Sequence, residues 1–186
     1  MRVLTQLYSN PLTGRKALVA ALFGAVFTSL CAQAAFYLPG NPVPVTLQVF
    51  GVICCGLVLG SRIGALSQFL YIVAGVMGAP VFAGFRFGIG CLVGPTGGYL
   101  VGFVAAAYVV GLIFESSERM VVSAFLAGLV GVSVTYAFGL SWLSIWLRLA
   151  GDVYPRGWLL GIAPFVGLDI LKAGLAASLV AGRRYL

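Results

Sequence analysis

The sequence predicts an all-α fold, a polytopic membrane protein with six transmembrane helices in one bundle. Three observations carry that expectation. Of the 186 residues, 61% are hydrophobic and only 8% charged, whereas a water-soluble domain has about a quarter charged residues. The apolar residues come in runs close to the length that crosses a bilayer, which is about 20 residues. Glycine is abundant at 26 residues, as it is where membrane helices pack closely. So little polar surface cannot cover a soluble globule, and one membrane-embedded domain is expected over residues 1–186.

The spans follow in order. The first is expected at about 17–37, behind Arg15 and Lys16. Its Arg15-Lys16 start and its "AQA" (Ala32 to Ala34) imitate a secretion signal with a cleavage site. The segment is read instead as the first helix. The second span covers about 46–60 and ends at Ser61-Arg62, and the third covers about 63–79. So short a gap predicts a tight helical hairpin around Arg62. The fourth, fifth and sixth spans are expected at about 96–114, 120–140 and 160–181.

Basic residues set the orientation. With six spans both termini share a side. That side carries Arg2, Arg15, Lys16, Arg62, Arg119, Arg183 and Arg184, and the other carries Arg86, Arg148 and Arg156. Positive charge collects on the cytoplasmic face, so both termini are expected in the cytoplasm of a cell with a bacterial-type inner membrane.

The connections on the outer side are the elaborate ones. "YLPGNPVPVTLQ" (Tyr37 to Gln48) has three prolines within Pro39 to Pro44, which favours an extended, stiff loop. "GAPVFAGFRFGIGCLVGPTGGYL" (Gly78 to Leu100) is glycine-rich and apolar, a composition suited to a buried re-entrant segment or a lid. "SWLSIWLRLAGDVYPRGW" (Ser141 to Trp158) has the tryptophans and charges of a short interfacial helix. Elaboration on one side points to capture of something from outside.

Several function classes are excluded by what is missing. The net charge of +7 sits at the edges of apolar runs, so nucleic acid is not expected as a partner, whereas lipid is. No phosphate loop of the G-x-x-x-x-G-K-[ST] type occurs, so the chain is not expected to hydrolyse ATP. Histidine is absent, which removes Ser-His catalysis, and zinc is not expected at Cys31, Cys54, Cys55 or Cys91. Carboxylates do not cluster, so an enzyme is not expected, nor a cofactor.

Asp169 and Lys172 stand out. Their i,i+3 spacing puts them on one face of the sixth helix. Each charge costs about 2.5–3.5 kcal/mol at the bilayer centre. A mutual ion pair that fixes the helix is one reading. A pocket for a small polar ligand is the other, with Lys172 donating and Asp169 accepting. The "GPTGGYL" run places Gly98 and Tyr99 at a helix start, where free N–H groups suit anionic or carbonyl groups. On the first helix, Ala17, Ala21 and Ala25 form a small-residue stripe that lets another helix approach. Packing in its own bundle and docking of a second membrane subunit explain it equally well.

The run from "NPVPVTLQ" through "MGAPVFAG", the "GPTGGYLVGF" that follows and "DILKAGLA" near the end together resemble the biotin-specific substrate-binding component of energy-coupling factor transporters, over about residues 17–182. The resemblance implies a six-helix binding protein that captures biotin from outside under its outer loops. It implies a transmembrane coupling subunit and a cytoplasmic ATPase pair as partners, with the alanine stripe docking the former. It implies ligand contacts at Asp169 and Lys172. Asp169 would then accept from the ureido N–H groups and Lys172 donate to the ureido carbonyl, or Lys172 would take the carboxylate. Arg86 or the turn at Gly98 and Tyr99 would receive the carboxylate otherwise. Thr46, Gln48 and Asn41 are further candidates, and Phe36, Tyr71, Phe82 and Phe165 candidate apolar walls. A component for thiamine or riboflavin, or a solitary vitamin transporter, would share much of this pattern.

Overall fold

The computed structural model describes residues 14–118, 120–151 and 160–182. In chain order these form α1 (Arg15–Gln33), a two-stranded antiparallel ribbon of β1 (Ala35–Phe36) and β2 (Val45–Thr46), α2 (Gln48–Val76), a 3-10 turn (Ala83–Phe85), α3 (Gly90–Val93), α4 (Gly97–Glu115), α5 (Val121–Leu149) and α6 (Val166–Gly182). Helices α1, α2, α4 and α5 are long and apolar enough to cross a membrane. Helix α6 has 17 residues, about 26 Å of rise.

Helix α2 is two antiparallel arms. Gly60 interrupts it with φ 81 and ψ 177. Gln48 Nε2 nevertheless donates to the Tyr71 hydroxyl at 2.7 Å. On a straight helix those residues would lie about 35 Å apart. The chain therefore reverses at Gly60, two residues before Arg62, and the arms are the second and third expected spans. The Glu115 carboxylate closes this turn, accepting from the Ser61 N–H at 2.8 Å and the Ser61 hydroxyl at 2.9 Å. It satisfies a backbone donor that the start of the second arm would otherwise leave open.

Three boundaries differ from expectation. Helix α1 stops at Gln33 because the chain turns there into the β1–β2 ribbon. Helix α5 continues to Leu149, so Ser141 to Leu149 form its last turns and not a separate interfacial helix. Trp142 is held there by its indole N–H, which donates to the Gly94 carbonyl at 2.7 Å. Helix α6 starts at Val166, six residues late, after turns that bury Phe165. Residues 152–159 of the expected interfacial segment lie outside the described residues, as do Arg2, Arg119, Arg183 and Arg184 of the orientation count.

The alanine stripe of α1 faces inward. Ala21 is fully buried, Ala25 is buried and Ala17 half-buried. In this structure the stripe packs within the chain's own bundle, the first of its two readings. The exposed side of α1 carries Leu18, Leu22, Phe23, Val26 and Leu30. Ala21→Leu is accordingly expected to overpack the bundle and cost about 1–3 kcal/mol, read as a lower melting temperature in detergent.

Candidate functional site

Asp169 falls in the first turn of α6. The late start of that helix moves the charge from mid-span to a helix N-terminus, where the macrodipole favours a carboxylate. Lys172 follows one turn later and its Nζ donates to Asp169 Oδ1 at 2.6 Å. The same Nζ donates to the Thr46 carbonyl at 2.7 Å, tying β2 to α6. From α5, the Tyr136 hydroxyl donates to Asp169 Oδ2 at 2.6 Å. Both carboxylate oxygens thus have a partner, and both charged residues are buried. Burial of a pair is tolerable only with such extra hydrogen bonds.

The network extends along α2. The Thr46 hydroxyl donates to Gln48 Oε1 at 2.9 Å, and Gln48 Nε2 donates to Tyr71. Tyr99, on the first turn of α4, donates to the Gly161 carbonyl at 2.8 Å and holds the entry to α6. Thr46, Gln48, Tyr99, Asp169 and Lys172 line one cavity of about 50 Å³, walled also by Val43, Phe103, Thr135, Tyr136 and Phe165. A space of this size holds a few waters at most, and anything larger enters only when these walls move apart.

Three of the expected ligand residues are not in that cavity. Asn41 is a loop brace: its amide donates to the Leu160 carbonyl and its Oδ1 accepts from Val43 N–H, each at 2.9 Å. Gly98 packs under Trp142 and Phe138 of α5, where there is no room for a Cβ. Arg86 is exposed, with Nε donating to the Ala83 carbonyl at 3.1 Å and its guanidinium 5.8 Å from the Tyr37 ring centre. It lines a second cleft of about 450 Å³ with Phe85, Phe87, Cys91 and Pro95. Thr96 lines both spaces, so the cleft adjoins the cavity. Of the four aromatic wall candidates, Phe165 lines the cavity, Tyr71 reaches it through Gln48, Phe82 stacks edge-on against Tyr71 at 5.4 Å and Phe36 is exposed.

Tyr136 and Gln33 are candidate residues that sequence reading passed over. Tyr136 looks like one more aromatic in an apolar span. Gln33 staples α1 to the 77–96 connection: Nε2 donates to the Val81 and Phe82 carbonyls at 3.3 Å, and Oε1 accepts from the Phe85 N–H at 3.0 Å. These bonds hold the segment that carries the buried Phe82 against Tyr71. Losing hydrogen bonds worth about 1 kcal/mol each loosens that segment. Gln33→Ala is expected to raise the ligand dissociation rate roughly tenfold in stopped-flow displacement, with the melting temperature little changed. Among the described residues no group of three or more His, Cys, Asp or Glu side chains is placed to hold a metal ion.

Comparison with known proteins gives one consistent result. The model of the BioY family matches residues 5–185. A probable biotin transporter BioY of Pyrococcus horikoshii is 42% identical over 158 residues, 85% of this chain and 89% of that protein. The biotin transporter BioY of Thermotoga maritima is 41% identical over 154 residues, 82% and 88% of the two chains. Among solved structures, the S-component for biotin from an ECF-type ABC transporter superposes with a TM-score of 0.79 at 23% identity, covering 94% of this chain and 96% of that one. With nearly its whole length matched, the chain belongs to the BioY family.

Proposed function

We propose that this chain captures biotin from outside the cell, in the cell membrane, as the substrate-binding component of an ECF-type transporter. The observation that carries the reading is the buried Asp169–Lys172 pair, braced by Tyr136 and Thr46, at the wall of one cavity. Lys172 has three N–H donors and commits two of them, leaving one for a ligand acceptor. Asp169 keeps acceptor capacity on both oxygens for ligand N–H groups. A cyclic urea presents that complement, one carbonyl between two N–H groups. The acid tail of biotin would run past Thr96 toward the Arg86 cleft, where the guanidinium meets its carboxylate.

Thiamine is a cation and would meet the Lys172 ammonium with like charge. Calorimetric titration with biotin, thiamine and riboflavin in turn decides among the vitamins. Tight binding of biotin alone is expected, and tighter binding of either other vitamin would overturn the assignment.

Transport would require a transmembrane coupling subunit and a cytoplasmic ATPase pair, because the sequence carries no phosphate loop. The apolar groove along Ala20, Phe23, Gly24 and Phe27, continued by Val58 and Leu179, would offer such a subunit a surface on α1. Both termini would face the cytoplasm, as the Arg15, Lys16 and Arg62 ends predict. Co-expression with the coupling subunit and ATPases should give a co-purifying complex. Full biotin uptake by the chain alone would favour a solitary transporter.

A further inference from the structure

We propose that Tyr136 is a positioning residue that makes the site selective for a neutral cyclic urea over its cationic guanidine counterpart. The inference rests on the biotin reading above. Asp169 is held from both sides: Lys172 engages Oδ1 and the Tyr136 hydroxyl engages Oδ2, each at 2.6 Å. The two partners differ in kind. Lys172 neutralises the carboxylate, whereas Tyr136 is neutral and fixes its plane with a hydrogen bond. Both belong to the wall of one cavity, and they come from separate helices, α5 and α6. The carboxylate therefore cannot turn about its χ2 without breaking one of two short bonds.

Selectivity follows from that arrangement. The ion pair gives the cavity wall no net charge. A urea offers a carbonyl to the remaining Lys172 N–H and its own N–H groups to Asp169 and the Tyr136 oxygen, which still accepts. A guanidine is cationic at neutral pH and has a donor where the urea has its acceptor. It meets the Lys172 ammonium with like charge. Removing the Tyr136 hydroxyl changes the balance in a direction that packing loss alone does not. Asp169 Oδ2 loses its donor and presents more uncompensated negative charge to the cavity. The urea loses a fixed acceptor, while the cation gains attraction that offsets its loss.

The experiment compares biotin with its 2-imino analogue, in which a guanidine replaces the urea, by titration at neutral pH into the unsubstituted protein and Tyr136→Phe. The substitution deletes one oxygen and no ring volume, and melting curves without ligand check that both proteins are folded. Tyr136→Phe is expected to weaken biotin roughly 10- to 100-fold, the loss of one charge-assisted bond. It is expected to weaken the imino analogue by clearly less, so that the preference for the urea falls. Equal losses for the two ligands would show a structural role only and overturn the proposal, as would an unchanged biotin affinity. Failure of the unsubstituted protein to bind biotin at all would instead overturn the biotin reading, and this inference with it.

Discussion

Lys172→Ala is expected to weaken biotin binding by about 100-fold or more in calorimetric titration of ligand-free protein. Two losses add. The ligand carbonyl loses a charged donor, worth about 1.5–3 kcal/mol. Asp169, buried and bonded to Lys172 at 2.6 Å, is left with only the neutral Tyr136 as partner. Breaking a buried pair in this way costs about 3–5 kcal/mol, and the Thr46 carbonyl loses its tie to α6 as well. A double substitution separates function from structure. Asp169→Asn with Lys172→Met removes both charges and leaves no unpaired ion, which is often neutral for stability. If the pair only braces the bundle, that variant binds biotin like the unsubstituted protein. If the pair serves the ligand, it folds and does not bind.

Much of the site was legible in the sequence because its strongest signal is energetic. Charges in an apolar span are expensive, so Asp169 and Lys172 announce themselves, and the spacing of three puts them on one helix face. Thr46 and Gln48 were named for their place in or beside the first outer loop, and Tyr99 for its place at a helix start. Tyr136 carries no such mark. An aromatic among Val134, Thr135 and Ala137 has the composition of packing, and only the fold sets its hydroxyl against Asp169. The alanine stripe shows the converse case. Spacing of four says that α1 has a smooth face, but not which way that face points. The burial of Ala21 settles this, since α1 lays its small side against the α2 hairpin, with Gly24 against Leu59 and Ser67. Arg86 was read as a group in the outer loop that could receive the ligand carboxylate. The structure places it one compartment away, in the cleft that shares Thr96 with the cavity.

Gly60→Val is expected to be among the most damaging substitutions outside the site. At φ 81 and ψ 177 the backbone lies in a region that is essentially reserved for glycine, where a side chain costs about 1–3 kcal/mol. A β-branched residue adds restriction at χ1. No easy relaxation exists, because the turn is fixed from outside. Glu115 holds the Ser61 N–H and hydroxyl, and Gly111 of α4 packs against Gly60 and Ser61 so closely that a Cβ there would overlap the backbone. A loss of this size should lower the melting temperature by roughly 5–10 °C in a chain of this length. The effect should also reach the ligand. The two arms that meet at Gly60 carry Gln48 and Tyr71 at their far ends, and the bond between those residues is part of the site's polar network. Splaying the arms at the turn separates that pair, so biotin affinity should fall together with stability although Gly60 is at the opposite end of the bundle. Glu115→Gln serves as the graded control. It keeps one acceptor for Ser61 and should cost less on both measures. A Gly60→Val protein that melts normally and binds biotin normally would mean that the reversal of α2 does not depend on this backbone conformation.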